Sequence, residues 1–234
     1  MRKRLMGSIV AVAAVLVVSA TLFAQTADQS KKPKEQAATQ TPDFTGVWLV
    51  QKFQPNMSPN VRPPLTPWGE TQFKAADPTK NDPNLACLPH GVPRIMYVPL
   101  PMEIMQIPGR VIIFQEAGNE VRQVFLNREH PKDLDATYNG NSVGKWEGDT
   151  LVVDSIGFND ITWLDHVGLR HSDALHVVER IRRVDHETLE DDFTIEDAKA
   201  FTKPWTSQQI YKLRPSWEIA EYVCENNKYI YHPN

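Results

Sequence analysis

The stretch ALHVVERIRRVDHETLEDDFTIED, residues 174–197, decides the fold class. From Thr188 onward Leu189, Phe193 and Ile195 fall on one side, and Thr188, Glu190, Asp192, Thr194 and Glu196 on the other. A period of two marks a β-strand with one buried and one wet face. Upstream of the DHE turn, the odd positions Leu175, Val177, Glu179, Ile181 and Arg183 carry more aliphatic area than the even positions His176, Val178, Arg180, Arg182 and Val184. The odd face is therefore expected to look inward. Two such runs joined by a short polar turn make a hairpin.

The pattern repeats outward in both directions. RVIIFQE and EVRQVFL flank AGN, SVGKW and TLVVDSIGF flank EGD, and SQQIYKL and WEIAEYVC flank RPS, with RIMYVPL and MEIMQI preceding them all. Aspartate and glycine accept turn geometry at low cost, so these breaks are hairpin signals. Sequential hairpins without long amphipathic helices predict an all-β antiparallel meander, closed into a barrel or folded into a sandwich. Twelve of the eighteen prolines lie between Pro42 and Pro101. Lacking an amide donor, they suit a surface wrap and not central strands. Within the wrap, LTPWGETQFKAA predicts one short helix with Thr66 as N-cap and Pro67 in the first turn.

The N-terminus reads as an export signal. Residues 1–24 join a basic tip to an almost uninterrupted apolar run, which serves as a cleaved signal peptide or an uncleaved N-terminal anchor. Residues 25–41 are polar and lack aromatics, a tether too poor in apolar area to offset the entropy of ordering. Residues 42–234 then form a single domain. The formal charge is -4, and residues 1–24 contribute three positive charges and no acids, so without them the chain is more acidic still. It offers no basic stretch for nucleic acid, and contact with a membrane is expected only through the N-terminal anchor. The two cysteines, Cys87 and Cys224, would meet oxidising surroundings in a periplasmic or extracellular setting, where a disulfide between them competes with two isolated buried thiols.

DFTGVWLV, with Gly46 and Trp48, resembles the Gly-x-Trp run of the first strand in lipocalins and related calycin barrels. The resemblance implies a closed barrel with the tryptophan at one end. Residues 43–226 are also similar to a group of exported bacterial proteins without assigned activity, through the runs LTPWGE, WEGDTLVVD, GFND, WLD and HSDALHVVER. That similarity implies export and an all-β domain, and no reaction.

The densest polar chemistry lies in DHVGLRHSDALHVVERIRR, residues 165–183. His166, His171 and His176 are spaced five apart, so no regular element converges all three, and a shared site requires the loop to fold back at Gly168. Together they are a candidate ligand set for zinc or iron. His171 with Asp173 is a candidate base pair, because a carboxylate beside an imidazole fixes its tautomer and raises its basicity. Glu179 on the inward face is either paired with an arginine of a neighbouring strand or, unpaired, a candidate acid with a raised pKa. Arg180 is the candidate charge stabiliser. If the even face turned inward, His176 and Arg180 would form the internal pair. Asn159, Asp160, Trp163, Asp165 and His176 are candidate ligand contacts around a loop at the barrel mouth. His90 could approach such a site only through long-range folding.

Phosphate-cradling glycine loops, Gly-x-Ser-x-Gly elbows, His-Glu-x-x-His and dinucleotide fingerprints are absent from the sequence. Paired carboxylates of the glycosidase kind, contributed by separate strands, would leave no local signature. The expectation is thus an exported barrel binding a small, largely apolar organic molecule. The competing expectations are a cofactor-free isomerase, cyclase or lyase, or a metal-dependent enzyme, on the same scaffold.

Overall fold

The computed structural model describes residues 41–225. The proposed signal and most of the tether lie outside that range. Nine strands follow one another around a closed barrel: β1 (Gly46–Val50), β2 (Met102–Ile107), β3 (Arg110–Gln115), β4 (Glu120–Leu126), β5 (Asn141–Glu147), β6 (Thr150–Ile156), β7 (His176–Asp185), β8 (Thr188–Glu196) and β9 (Trp205–Leu213). The only α-helix among the described residues is α1 (Pro67–Ala75). The all-β barrel with a proline-rich wrap and one short helix is therefore observed.

One junction departs from the expected antiparallel meander. Every neighbouring pair is antiparallel except β4 and β5, which run parallel. Directions cannot alternate all the way around a ring with an odd number of members, so nine strands require one parallel junction. A parallel neighbour needs a long crossover, and residues 127–140 supply it. The β4–β5 register covers only Val124↔Ser142, Phe125↔Val143 and Leu126↔Gly144, so the two strands diverge before it.

Two expected strands are not strands. RIMYVPL holds a short 3-10 turn, Arg94–Tyr97, bracketed by Pro93, Pro99 and Pro101. Its Ile95, Met96 and Tyr97 are buried, and the Tyr211 hydroxyl donates to the Met96 carbonyl at 3.0 Å. Proline blocks pairing, so the segment closes the barrel end as a plug. WEIAEYVC is irregular and largely exposed. The ring closes through β1 and β9, leaving no edge to which a further strand could add. The Cys87–Cys224 disulfide is formed and ties this last segment to the wrap.

Inward side chains alternate along each wall, and the core includes Trp48, Val124, Val153, Val177, Leu189, Phe193 and Tyr211. Trp48 donates its indole N–H to the Phe44 carbonyl at 2.8 Å, under the Arg183 guanidinium. Helix α1 begins as expected, with Thr66 Oγ1 accepting from the Gly69 amide at 3.1 Å. A Cβ on Gly69 would stand 2.4 Å from the Ala200 carbonyl oxygen, so glycine permits the close seating of α1 on this segment.

Candidate functional site

The odd face of β7 looks inward, as its aliphatic area predicts: Val177, Glu179 and Ile181 are buried, whereas Arg180 and Arg182 are exposed. Glu179 is fully enclosed and receives Arg122 in a two-point contact, with Nη1 donating to Oε1 at 2.8 Å and Nη2 donating to Oε2. The arginine comes from β4, three strands around the wall, and not from a strand beside β7. Arg122 also donates from Nε to Ser142 Oγ at 3.2 Å and from Nη2 to Ser155 Oγ at 3.1 Å, and the two hydroxyls lie 2.7 Å apart. A buried charge is tolerable only when paired and hydrogen-bonded, and this set meets both conditions.

A second carboxylate joins it. Asp191 of β8 is fully buried, and neither of its side-chain oxygens has a hydrogen-bond donor among the described residues. Burial, then the neighbouring Glu179 carboxylate, pushes its pKa well above the ordinary aspartate value, against the opposing pull of Arg122. Both causes favour the protonated acid over a second buried anion. Asp191 is absent from the sequence reading, although its position between the inward Leu189 and Phe193 marks it by period alone. The Glu179–Asp191 arrangement joins carboxyls from separate strands, but its enclosure keeps substrate and water away.

The remaining sequence candidates are dispersed. His171 is buried, with Nε2 2.8 Å from Thr162 Oγ1 and Nδ1 2.9 Å from the Ser172 carbonyl oxygen. Nδ1 must donate to that carbonyl, so Nε2 accepts from the threonine and both nitrogens are engaged. Burial lowers its pKa, consistent with a neutral ring. Asp173 is exposed and does not pair with it. His166 packs edge-on against Phe53 and accepts from Arg94 Nη2 at 3.2 Å. Burial, then the Arg94 charge, lowers its pKa to about 4. His176 lies on the outer wall beside Asp154 and Glu196, 3.2 and 3.5 Å away. The three histidines do not converge, and among the described residues no group of three His, Cys, Asp or Glu is arranged to hold a metal ion. Arg180, also outside, pairs with Glu147 and not with His176.

The loop from Gly157 to Leu175 folds back, but as packing. Trp163 is buried between the guanidinium groups of Arg94 and Arg170, 5.8 and 5.4 Å from its ring centroid. Asp165 accepts from the Val167 and Leu169 amides at 3.1 and 3.0 Å, organising the turn from within. Gly168 has φ +99°, and a Cβ there would stand 2.3 Å from that of Ala76. Asn159 accepts from the Ile161 amide at 3.2 Å, and Asp160 is exposed.

Ligand-sized space lies in the wall. Inside the barrel, the gap bordered by Trp48, Met96, Gln115 and Tyr211 has no room for a water-sized sphere. Where β4 and β5 diverge, a cleft of about 510 Å³ opens, lined by Glu120, Val121, Arg122, Tyr138, Asn139 and Ser142 among others. Asn139 Oδ1 in this wall has no hydrogen-bond partner among the described residues. Glu120 accepts from the His90 backbone amide at 2.6 Å and lies 2.9 Å from His90 Nδ1. The proline-rich wrap thus sets a histidine behind Glu120 of the cleft wall, a pairing across 30 residues that no local spacing reveals.

No protein-family model matches the chain, and no curated protein sequence matches it.

Proposed function

We propose that the barrel domain is an exported binding protein for a small organic molecule, held in the cleft between β4 and β5. The observation that carries this reading is the divergence of the two parallel strands. It opens a cleft of about 510 Å³, within the range of roughly 300–1,000 Å³ that small-molecule sites occupy. The buried Arg122–Ser142 network braces its inner side, so the polar groups are preorganised. Val121, Phe125 and Tyr138 offer apolar area, while Asn139 and Asn141 offer hydrogen bonds. This lining favours a ligand with polar groups on a compact apolar body over a wholly apolar one. The disulfide fits an oxidising, exported setting, and the resemblance to calycins and exported bacterial proteins points the same way.

The test is native mass spectrometry of the protein isolated from its own host, beside a Val121→Trp variant. Val121 is exposed, so a tryptophan there fills the cleft without entering the core. We expect a releasable organic mass on the unmodified protein and its loss from the variant, with circular dichroism unchanged. A mass retained by the variant would place the ligand elsewhere and sink the assignment.

One observation favours catalysis in the same cleft: Glu120 in its wall contacts the His90 imidazole behind it, a carboxylate–imidazole pair of the kind general acid–base chemistry uses. A catalytic role predicts that His90→Gln abolishes conversion of the recovered molecule while leaving its binding in place.

A further inference from the structure

We propose a second binding site, distinct from the β4–β5 cleft, for a small aromatic or branched organic carboxylate, between the proline-rich wrap and the start of β9. The space there is the larger of the two, about 680 Å³, with residues 54–64 on one side and 203–208 on the other. Its walls are fixed to each other. Ser207 donates its hydroxyl to the Met57 carbonyl, and the Thr202 amide and hydroxyl reach the Pro64 carbonyl at 2.8 and 3.1 Å. The cleft is therefore a built feature of the fold.

Its charge is unusual for this chain. The protein is acidic overall, at -4, yet the lining includes Arg62 and Lys203 and no aspartate or glutamate. Lys203 has no salt-bridge or hydrogen-bond partner among the described residues, and the Arg62 guanidinium engages Glu70 through Nη2 at 2.7 Å. Two lining residues already engage acids outside the lining, Arg62 with Glu70 and Gln208 with Asp192 at 2.8 Å. A carboxylate entering the cleft meets the unpaired Lys203 ammonium, with the Glu70-held Arg62 guanidinium as a secondary donor and no carboxylate in the lining itself, the arrangement that makes charge-assisted hydrogen bonds strong.

The rest of the lining selects an organic anion over a bare inorganic one. Prolines 59, 63, 64 and 204 present ring faces without amide donors, and Trp205 forms part of the inner wall. Val61 is 70 % exposed at its edge, apolar surface that gains from being covered. Trp205 is nearly buried against Phe201, and its indole nitrogen lacks a partner among the described residues. An aromatic or branched body against the prolines, with its carboxylate toward Lys203, matches both halves of the surface.

The experiment is ligand-observed fluorine NMR with 4-fluorobenzoate and its neutral analogue 4-fluorobenzamide, added to the full chain. The acid should bind at least about tenfold more tightly than the amide, and Lys203→Gln should weaken the acid by about tenfold, the size of one charge-assisted contact. Arg62→Gln should weaken it less, because Glu70 already holds that guanidinium. Val121→Trp, which fills the other cleft, should leave the titration unchanged, so this site and the β4–β5 reading fail separately. Absence of binding by the acid, equal binding of acid and amide, or an unaltered titration in Lys203→Gln would each overturn the proposal. Both substitutions lie on exposed side chains, and an unchanged circular dichroism spectrum separates lost binding from lost fold.

Discussion

Strand β7 carries ionic contacts on both sides of the barrel wall, and the two sets are held by different physics. On the outside Arg180 meets Glu147 at 3.1 Å and Arg182 meets Glu190 at 3.0 Å, side chains that remain substantially in water. Inside, one residue along from Arg180, Glu179 meets Arg122 with both groups almost wholly removed from solvent. Water screens the outer pairs and competes for them, so each contributes at most about 1 kcal/mol. The inner pair replaced hydration with fixed partners, and losing one partner leaves a bare charge in an apolar interior. Similar chemistry on alternate residues thus decorates one face and constrains the other.

The largest expected effect comes from breaking the inner pair on one side. Arg122→Ala should destabilise the barrel by about 3–5 kcal/mol in denaturant unfolding, because Glu179 then remains buried and unpaired. The double variant Arg122→Met with Glu179→Met should lose less than Arg122→Ala, since no charge is stranded. A double variant as unstable as the single would show that packing volume, not charge, holds the waist together.

Next in size is a pH effect at Asp191. Its pKa is raised in the folded protein, so the native state keeps a proton that the unfolded chain releases above about pH 3.9. Native stability from this group is therefore greatest at low pH and falls as the pH climbs, until the folded aspartic acid itself ionises. Asp191→Asn removes that dependence. The variant should gain on the unmodified protein by up to about 1.4 kcal/mol for each pH unit above roughly 4. Parallel stability curves from pH 4 to pH 7 would rule out a retained proton.

The smallest effect belongs to the outer face. Arg180→Ala should change stability by less than about 0.5 kcal/mol, and the difference should shrink in high salt. A loss comparable with that of Arg122→Ala would erase the distinction between the two faces.

The hairpins were legible because alternation is a local property, visible in four or five consecutive residues. It also favoured Glu179 inward, and applied without omission it places Asp191 there too, between Leu189 and Phe193; in EVRQVFL both faces mix polar and apolar residues, so Arg122 was not assigned. The partnership between Glu179 and Arg122 was not legible, because it joins residues 57 apart across the lumen and depends on how the ring closes. RIMYVPL and WEIAEYVC look like strands by composition, but prolines deny the first its ladder and the closed ring offers the second no edge. The histidines of the 165–176 loop attracted a chemical reading through their density, yet His166 and His171 are held by separate neighbours and His176 faces outward.

The sequence by itself determined the all-β class, the positions of most hairpins and the capped helix, since each depends on residues within a few positions of one another; for β7 it favoured the odd face and left the even one open. Only the tertiary structure decided the parallel β4–β5 junction, the cleft it opens, the His90–Glu120 contact and the buried meeting of Arg122 with Glu179. These arise from ring closure, which brings together strands distant in the chain and sets their register by the geometry of the whole wall.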